Sequence, residues 1–367
     1  MSATRGITDR EILIGLEGRT GGFSADQENL GARMAMREAN DSGGIHGRRL
    51  VERSHPRAAG NAAETGFATA RRLAEVDGVF LLFNLGGIAS LKTAPWAMQQ
   101  RIPYLFPHTG LLTMNADRYV FTSYPRYAGE ARVMLRHLAR ERGMTRIGMV
   151  YDEDAYGQFF LARLHEHAAE FGYTVAGTCA VSGRHPPSLV DKLAALRGER
   201  PQALLLPLYP EQAARVLEAK AALDWRDLTL VTMGPLTDEQ YLRAPDGHAE
   251  GTLGFCYYPD PGIADLPGVI GYREALRRHH PDERPNRYSL YGWTFGRLMI
   301  EGLRRAGPGI DRETFIDAME SIRGWDSGGV LPPVSFSSAN HHAQNAGFIG
   351  ELRDGRFHDR SGWIEAA

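Results

Sequence analysis

Residues 151–157, YDEDAYG, place three acids, two tyrosines and a glycine directly after the apolar run RIGMV. Acids that precede a helix commonly cap its exposed backbone N–H groups and favour the positive end of its dipole. This interpretation fits Asp152, Glu153 and Asp154. Tyr156 has no capping role, because it is a large aromatic residue between a strand and a helix. The segment is therefore either a catalytic turn or the rim of a binding pocket.

Glycine-rich segments elsewhere give little support for catalysis, which needs a nucleophile with a base, a metal cluster or a phosphate cradle. GRTGGF at 18–23 lacks the dinucleotide fingerprint and the phosphate-loop lysine, so we expect a turn that lets backbone approach a ligand. GGIAS at 86–90 places its serine wrongly for a nucleophile elbow. An enzyme ranks third among the hypotheses, and no cofactor is expected.

Paired histidines stand at 165–167, 279–280 and 341–342. Adjacent residues of a helix point in different directions and do not chelate one zinc ion together. We therefore expect solvated histidines and no metal site.

Composition limits the remaining classes. A length of 367 residues predicts two domains, and a net charge of −2 with interspersed signs gives no case for nucleic acid or an anionic membrane. Cys179 and Cys256 match no metal or redox spacing, which favours buried thiols and leaves a disulfide open. No apolar run approaches the roughly 20 residues that span a bilayer. The start lacks a signal segment, so either the protein is cytoplasmic or an export signal has been replaced by Met1.

Short apolar runs alternate with longer amphipathic segments along the chain. The predicted strands are EILIGLE, RRLVERS, GVFLLFN, IPYLFP, RIGMVY, TVAGTCAV, ALLLPLY and LTLVTMG, and the predicted helices lie near 27–41, 61–75, 89–100, 128–142, 157–171, 187–197 and 210–222. Most of the strands are too apolar to have a solvated face. The alternation predicts an α/β protein whose parallel sheets are covered by helices on both faces.

The strands fall into two sets, one before about residue 121 and one between about 145 and 233. Three extended or proline-containing stretches are candidate crossings between the sets: FTSYPRYAGEA, EGTLGFCYYP and VLPPVSFSSAN. We expect one lobe from 1–121 and 253–330, and another from 122–252 and 331–367. Three crossings predict a hinge.

Candidate binding residues collect where the predicted strands end. In open parallel sheets a ligand binds outside the carboxyl ends of the strands, where loops enter helices. Those positions are NLGG (84–87), PHTG (107–110), DAYG (154–157), LYPE (208–211) and MGP (233–235), with Tyr288 and Tyr291 added from NRYSLYGWTF. They predict an aromatic pocket with a few hydrogen-bond donors for an anion. For each tyrosine alone, packing and ligand contact both stay open.

Several segments in order resemble one known family. They are GITDREILIGLEGRTGGFS, GARMAMREANDSGGIHGRRL, IPYLFPHTG, RIGMVYDEDAYGQ, LPLYPEQ and RYSLYGWTFGRLMIEGL. Over nearly the whole chain, the sequence resembles type I periplasmic binding proteins of the branched-chain amino-acid group, which serve ABC importers. The resemblance implies two Rossmann-like lobes joined by a three-strand hinge. It makes 151–157 part of a pocket rim.

The resemblance also implies a function without chemistry. The lobes close around a small carboxylate, and a membrane permease recognises the closed form. The protein is then a periplasmic monomer, and a signal or lipid segment precedes residue 1 in the natural precursor. The alternative is a cytoplasmic ligand sensor of the same fold that controls a regulatory partner.

The family's ligand positions can be carried over where the segments match. They fall on Asn84, Gly86, Gly87, His108, Thr109, Gly110, Tyr156, Tyr209, Gly234, Tyr288 and Tyr291. In relatives that bind aliphatic amino acids, a hydroxyl residue in the loop after the fourth strand holds the carboxylate. That position falls near Gly86 and Gly87, where this sequence has no hydroxyl, so backbone N–H groups or Asn84 must serve.

A second departure concerns the ligand's amine. Amino-acid binders of this group carry an acid just after a Gly-Pro, and here the run is Gly234, Pro235, Leu236. We therefore expect an apolar or aromatic acid in preference to leucine or valine. Asp238 and Glu239 lie close enough in sequence to pair with an ammonium, which leaves a branched-chain amino acid as the alternative.

Overall fold

The computed structural model describes residues 4–18, 23–56, 58, 61–113, 117–183, 187–238 and 247–366. Most of the glycine turn predicted at 18–23 lies outside the described residues, as does Glu239.

Strands and helices alternate through most of the chain. In chain order the elements are β1 (Glu11–Glu17), α1 (Phe23–Asp41), β2 (Arg49–His55), α2 (Ala62–Glu75), β3 (Leu81–Phe83), α3 (Ser90–Gln100), β4 (Tyr104–Leu105), β5 (Val120–Phe121), α4 (Tyr127–Arg136), β6 (Arg146–Asp152), α5 (Ala155–Glu166), α6 (Ala168–Phe171), β7 (Thr174–Val181), α7 (Val190–Gly198), β8 (Ala203–Leu206), α8 (Pro210–Ala222), β9 (Thr229–Thr232), β10 (Leu253–Cys256), α9 (Pro267–His279), α10 (Arg287–Arg305), α11 (Arg312–Glu320), β11 (Ala346–Arg353), β12 (Arg356–Asp359) and β13 (Ile364–Glu365). The predicted α/β class is confirmed.

The chain divides into two compact units. Unit 1 comprises the chain up to Tyr124 together with Tyr258–Asn345, and unit 2 comprises Pro125–Tyr257 together with the chain from Ala346. All three predicted boundaries are displaced. Residues 122–124 belong to unit 1. Residues 253–257 belong to unit 2, because β10 pairs with β9 and β11 in its sheet. Residues 331–345 belong to unit 1.

The segment 331–345 is tied to unit 1 by isolated backbone bridges. Val334 pairs with Trp325, and His342 pairs with Thr122 next to β5. The side chains of Thr122 and His342 are also hydrogen-bonded, at 2.8 Å between Oγ1 and Nδ1. His341 and His342 are buried, so the expectation that they are solvated is wrong. His341 stacks on Phe121 with ring centroids 4.0 Å apart.

Unit 1 contains a parallel sheet in the order β2-β1-β3-β4-β5. In β1, Ile12, Ile14 and Leu16 are fully buried and lie on the same face of the strand, because every second side chain points to the same side. Helices α1 and α10 pack closely because glycines stand where they meet. An added Cβ on Gly31 of α1 would lie 2.1 Å from Ser289 O, and one on Gly292 of α10 would lie 1.8 Å from Glu28 O.

Unit 2 contains a sheet in the order β12-β11-β10-β9-β8-β6-β7, parallel from β10 to β7. Strand β11 runs antiparallel to β10, β12 and β13. The fully buried strand β8 and the helices α7 and α8 form the centre of its hydrophobic core. Cys179 and Cys256 are both buried in this core and do not form a disulfide.

Candidate functional site

The loop after β3 adopts an unusual backbone conformation. Asn84, Gly86 and Gly87 all have positive φ, at 49°, 52° and 43°. Glycine tolerates this left-handed region freely, and asparagine is one of the few other residues that enter it. The loop is held from β4, where the Tyr104 hydroxyl donates to Leu85 O at 2.5 Å. The chain therefore turns sharply at the carboxyl end of β3.

This loop departs from the predicted ligand site in two ways. It follows the third strand of unit 1, whereas the carried-over position was assigned to the fourth. Its nearest hydroxyl, Ser90 Oγ, donates to Gly87 O at 2.6 Å and so closes the short turn. Asn84 is buried and donates through Nδ2 to Asn29 Oδ1 at 3.3 Å, while its own Oδ1 has no partner among the described residues.

A carboxylate, an imidazole and a phenol meet beside this loop. Glu28 of α1 is fully buried, and its Oε1 accepts a hydrogen bond from the Tyr124 hydroxyl at 2.7 Å. The same oxygen is paired with His108 Nδ1. Within the described part of the chain, Glu28 Oε2 is buried without a hydrogen-bond partner. Burial and then the charge of Glu28 raise the pKa of Tyr124 well above its ordinary value, so its hydroxyl stays a donor.

His108 is thus in a polar cluster as well as in a predicted binding loop. Since Nδ1 faces Glu28, Nε2 is the ring nitrogen left for other contacts. The ring of Tyr288 lies against that of His108 with centroids 6.5 Å apart and planes at 28°. The structure therefore brings these two predicted residues together.

The remaining predicted residues of unit 1 are internal. Thr109 and Gly110 are buried, and Thr109 Oγ1 accepts from Leu111 N at 3.1 Å. Tyr291 is fully buried, and its hydroxyl donates to Phe106 O at 2.8 Å. That bond joins α10 to the end of β4, so Tyr291 packs the core of the unit.

In unit 2 the acidic turn after β6 caps α5, as the sequence predicts. Asp154 Oδ1 accepts from Tyr156 N at 2.9 Å and Gly157 N at 3.1 Å. Its other oxygen accepts from the Tyr209 hydroxyl at 2.6 Å. Burial raises the pKa of Asp154, and the bond from Tyr209 opposes this rise. The hydroxyl of Tyr209 is therefore bound within the turn.

Tyr156 differs from Tyr209 in the hydrogen bonding of its hydroxyl group. Its side chain is buried among the rings of Tyr127, Phe160 and Tyr209, at centroid distances of 5.1, 5.3 and 6.1 Å. Among the described residues, nothing makes a hydrogen bond with its hydroxyl. Burial raises its pKa well above the ordinary tyrosine value, so the group remains an O–H donor.

The loop after β9 is organised by Glu130, a residue that the sequence analysis missed. Gly234 N donates to Glu130 Oε1 at 2.6 Å, and the Tyr257 hydroxyl donates to Oε2 at 2.5 Å. Burial raises the pKa of Glu130 to about 8, although both hydrogen bonds act to lower it. Gly234 is needed here, since a Cβ would lie 1.9 Å from Tyr257 Cζ. Leu236 in the same turn is fully buried.

Within the described ranges, no group of three or more His, Cys, Asp or Glu side chains is placed to hold a metal ion. None of the helices there combines the length and apolar character needed to cross a membrane.

Comparison with known proteins identifies the family. Residues 12–356 match the family described as periplasmic binding protein. The chain belongs to this family. A Leu/Ile/Val-binding protein homolog 8 of Brucella abortus (strain 2308) is 22% identical over 317 residues, which cover 81% of this chain and 76% of the relative. The predicted type I family and its resemblance to the branched-chain group are confirmed.

Solved structures of ABC transporter substrate-binding proteins have the same fold. A fatty acid ABC transporter substrate-binding protein from Thermomonospora curvata is 19% identical, with a TM-score of 0.84 over 98% of this chain and 94% of its own. An ABC transporter solute binding protein from Rhodopseudomonas palustris BisB5, in complex with 3,4-dihydroxy benzoic acid, is 17% identical, with a TM-score of 0.80 over 98% of both chains.

Proposed function

We propose that this chain is the solute-binding component of an ABC importer, and that its ligand is a small carboxylate with an apolar or aromatic body. The protein works as a periplasmic monomer that delivers the ligand to a membrane permease. Family membership supports the binding role. The observation that carries the ligand class is the buried hydroxyl of Tyr156, which lies within a group of aromatic rings and has no hydrogen-bond partner among the described residues.

The Tyr156 hydroxyl favours an anionic acceptor. Leaving a buried donor without a partner costs about 1–3 kcal/mol. A carboxylate oxygen is the strongest common acceptor, and hydrogen bonds to ionised groups are roughly twice as strong as neutral ones. The rings of Tyr127, Phe160 and Tyr209 supply apolar surface beside this donor.

The surroundings of Gly234 argue against a ligand amine in unit 2. An ammonium buried without a counter-charge is costly. Leu236 stands where the resemblance implies an acid. Glu130 does not replace that acid, because both of its oxygens are bonded and a pKa of about 8 leaves it mostly protonated at pH 7.

A thermal-shift panel tests the ligand class. We expect benzoate, phenylacetate or hydroxycinnamate-type acids to stabilise the protein, by about 2.7 kcal/mol at 100 times the dissociation constant. Strong shifts with leucine, isoleucine or valine and none with the aromatic acids would restore the amino-acid assignment.

A single-atom change tests the role of Tyr156. Tyr156→Phe removes only the hydroxyl, so the dissociation constant should rise about tenfold while the ligand-free melting temperature does not fall, since the hydroxyl has no hydrogen bond to lose among the described residues. Tyr173→Phe is the matched control, because the Tyr173 hydroxyl donates to Leu164 O at 2.5 Å within unit 2. The control should lower the ligand-free melting temperature and leave affinity unchanged. Equal affinities of Tyr156→Phe and the unmodified protein would contradict the proposed role.

The proposal includes the ligand-dependent closure of two lobes that the family resemblance implies. Small-angle X-ray scattering checks it, because the radius of gyration should fall when a ligand identified by the panel is added.

A further inference from the structure

The position of Glu28 in unit 1 is fixed by backbone packing. An added Cβ on Gly292 of α10 would lie 1.8 Å from the carbonyl oxygen of Glu28, so only glycine permits this approach of the two helices. The Glu28 side chain is fully buried. The carboxyl group therefore has little freedom to move toward solvent.

Only one of the two Glu28 oxygens is satisfied within the described residues. Oε1 takes both the Tyr124 hydroxyl and His108 Nδ1. Oε2 is buried and makes no hydrogen bond to any described residue. A buried acceptor without a donor is rare in native proteins and calls for a functional or solvent partner.

A second open acceptor lies on the loop after β3. Asn84 Oδ1 is also buried without a partner in the described part of the chain. Asn84 is linked to the residue that follows Glu28, because its Nδ2 donates to Asn29 Oδ1. The loop of Asn84 also reaches His108, since a Cβ on Gly87 would lie 3.8 Å from His108 O. Two open acceptors on neighbouring elements are complementary to a donor.

We infer that Glu28, supported by Asn84, accepts a hydrogen bond from a donor group on the ligand, either a hydroxyl or an ammonium. The protein then discriminates between small acids that carry such a donor and otherwise similar acids that lack it. This inference rests on the proposed binding function and adds a specificity-determining residue to it.

Matched ligand pairs test the inference on the unmodified protein by isothermal titration calorimetry. Benzoate is compared with 3- and 4-hydroxybenzoate, and 3-phenylpropanoate with phenylalanine. The donor-bearing member of a pair should bind at least tenfold more tightly. A preference in the first set identifies a hydroxyl as the donor, and one in the second identifies an ammonium. Equal affinities within both sets overturn the inference, since water then serves the open oxygens.

Glu28→Gln tests the residue itself. The amide oxygen still accepts from Tyr124 and His108, whereas an N–H group replaces Oε2. The variant should lose at least tenfold in affinity for the donor-bearing acid and keep its affinity for the partner acid. Equal losses for both acids overturn the inference.

Glu313→Gln is the matched control in unit 1, because Glu313 pairs with Arg101 and Arg118 at the protein surface. It should leave the ligand preference unchanged. A second variant, Asn84→Gly, keeps the left-handed backbone and removes only the amide, and we expect a smaller loss with the same preference.

Different results would contradict the inference about Glu28 and the proposed function. If acids bind without discrimination, only the inference about Glu28 falls. If no acid in the panel binds, the proposed function is wrong, and so is the inference about Glu28 that rests on it.

Discussion

Glu28 in unit 1 and Glu130 in unit 2 are both fully buried glutamates that accept a tyrosine hydroxyl. They differ in their second oxygen. Glu130 has a donor on each oxygen, whereas Glu28 Oε2 has none among the described residues. The Glu130 carboxyl holds the loop after β9, whereas the inferred role of Glu28 depends on the oxygen that has no donor among the described residues. Burial alone does not separate these roles.

The tyrosine hydroxyls of the two units also differ in their hydrogen bonding. In unit 1 the hydroxyls of Tyr124 and Tyr291 are bonded, and an acceptor is open. In unit 2 the acceptors of Glu130 are filled, and the Tyr156 donor is open. Among these residues of the described chain, the buried atoms without a hydrogen bond are therefore acceptors in unit 1 and a donor in unit 2.

The largest expected effect is a pH dependence of stability from Glu130. The pKa of this carboxyl is near its ordinary value of 4.5 in the unfolded chain and about 8 when it is buried. Between these values the folded state holds one more proton, so raising the pH lowers the free energy of unfolding by about 1.4 kcal/mol per pH unit. The contribution is complete below about 4.5 and lost above about 8.

Glu130→Gln should remove this slope when denaturant unfolding is measured from pH 5 to 8. The amide keeps an acceptor for Gly234 N and does not titrate. An unchanged slope in Glu130→Gln would show that other groups titrate in this range.

Gly292→Ala should destabilise unit 1 by about 3 kcal/mol or more, because overpacking against backbone is poorly relieved. The new Cβ would lie 1.8 Å from Glu28 O and would force α1 away from α10. Gly309→Ala is the control, since that position has open space around its Cβ. Chemical denaturation of both variants gives the difference. A loss below about 1 kcal/mol at Gly292 would show that the helices separate easily.

Tyr104→Phe should cost about 1–2 kcal/mol, since it leaves the buried Leu85 carbonyl without this donor. The bond of 2.5 Å holds the loop that carries Asn84, so selectivity for donor-bearing acids should weaken as well. Calorimetry with the hydroxybenzoates measures both affinity and preference. Full stability with lost preference would mean that the loop is a binding element only.

Tyr209→Phe should have the smallest effect, at most about 1 kcal/mol of stability. It removes the hydrogen bond to Asp154 Oδ2 and keeps the cap that Oδ1 provides for α5. The ring stays beside Tyr156, so affinity should be unchanged. Thermal melting and calorimetry together compare it with Tyr156→Phe, for which the opposite pattern is expected. Weaker binding by the Tyr209 variant would assign its hydroxyl to the ligand.

Local patterns in the sequence predicted much of the scaffold. TVAGTCAV coincides with β7, and the predicted helix 210–222 coincides with α8. Asp154 caps α5 as predicted, because capping depends only on residues a few positions away. Strand β4 is shorter than its apolar run, although Pro103 and Phe106 on either side of it still hydrogen-bond to Leu82 of β3 and Phe121 of β5.

Sequence patterns did not predict segments whose strand-pairing or packing partners lie far along the chain. Strands β11 to β13 were not predicted. The stretch EGTLGFCYYP, predicted as a crossing, does contain the unit boundary after Tyr257, but its strand β10 was not predicted. Their assignment depends on which strand edge they pair with, and an apolar pattern does not contain that information. His341 and His342 were expected at the surface for the same reason.

The sequence by itself determined the α/β class, the family and the loops that end the strands, because periodicity, capping and turn chemistry are local. The binding roles assigned to those loops remain predictions. Only the tertiary structure decided which buried polar groups have all of their hydrogen-bond partners. Glu130 meets Gly234 and Tyr257 across 104 and 127 residues of chain, and Glu28 meets Tyr124 across 96. Whether donors reach one oxygen of a buried carboxyl or both depends on such long-range packing, which no local pattern encodes.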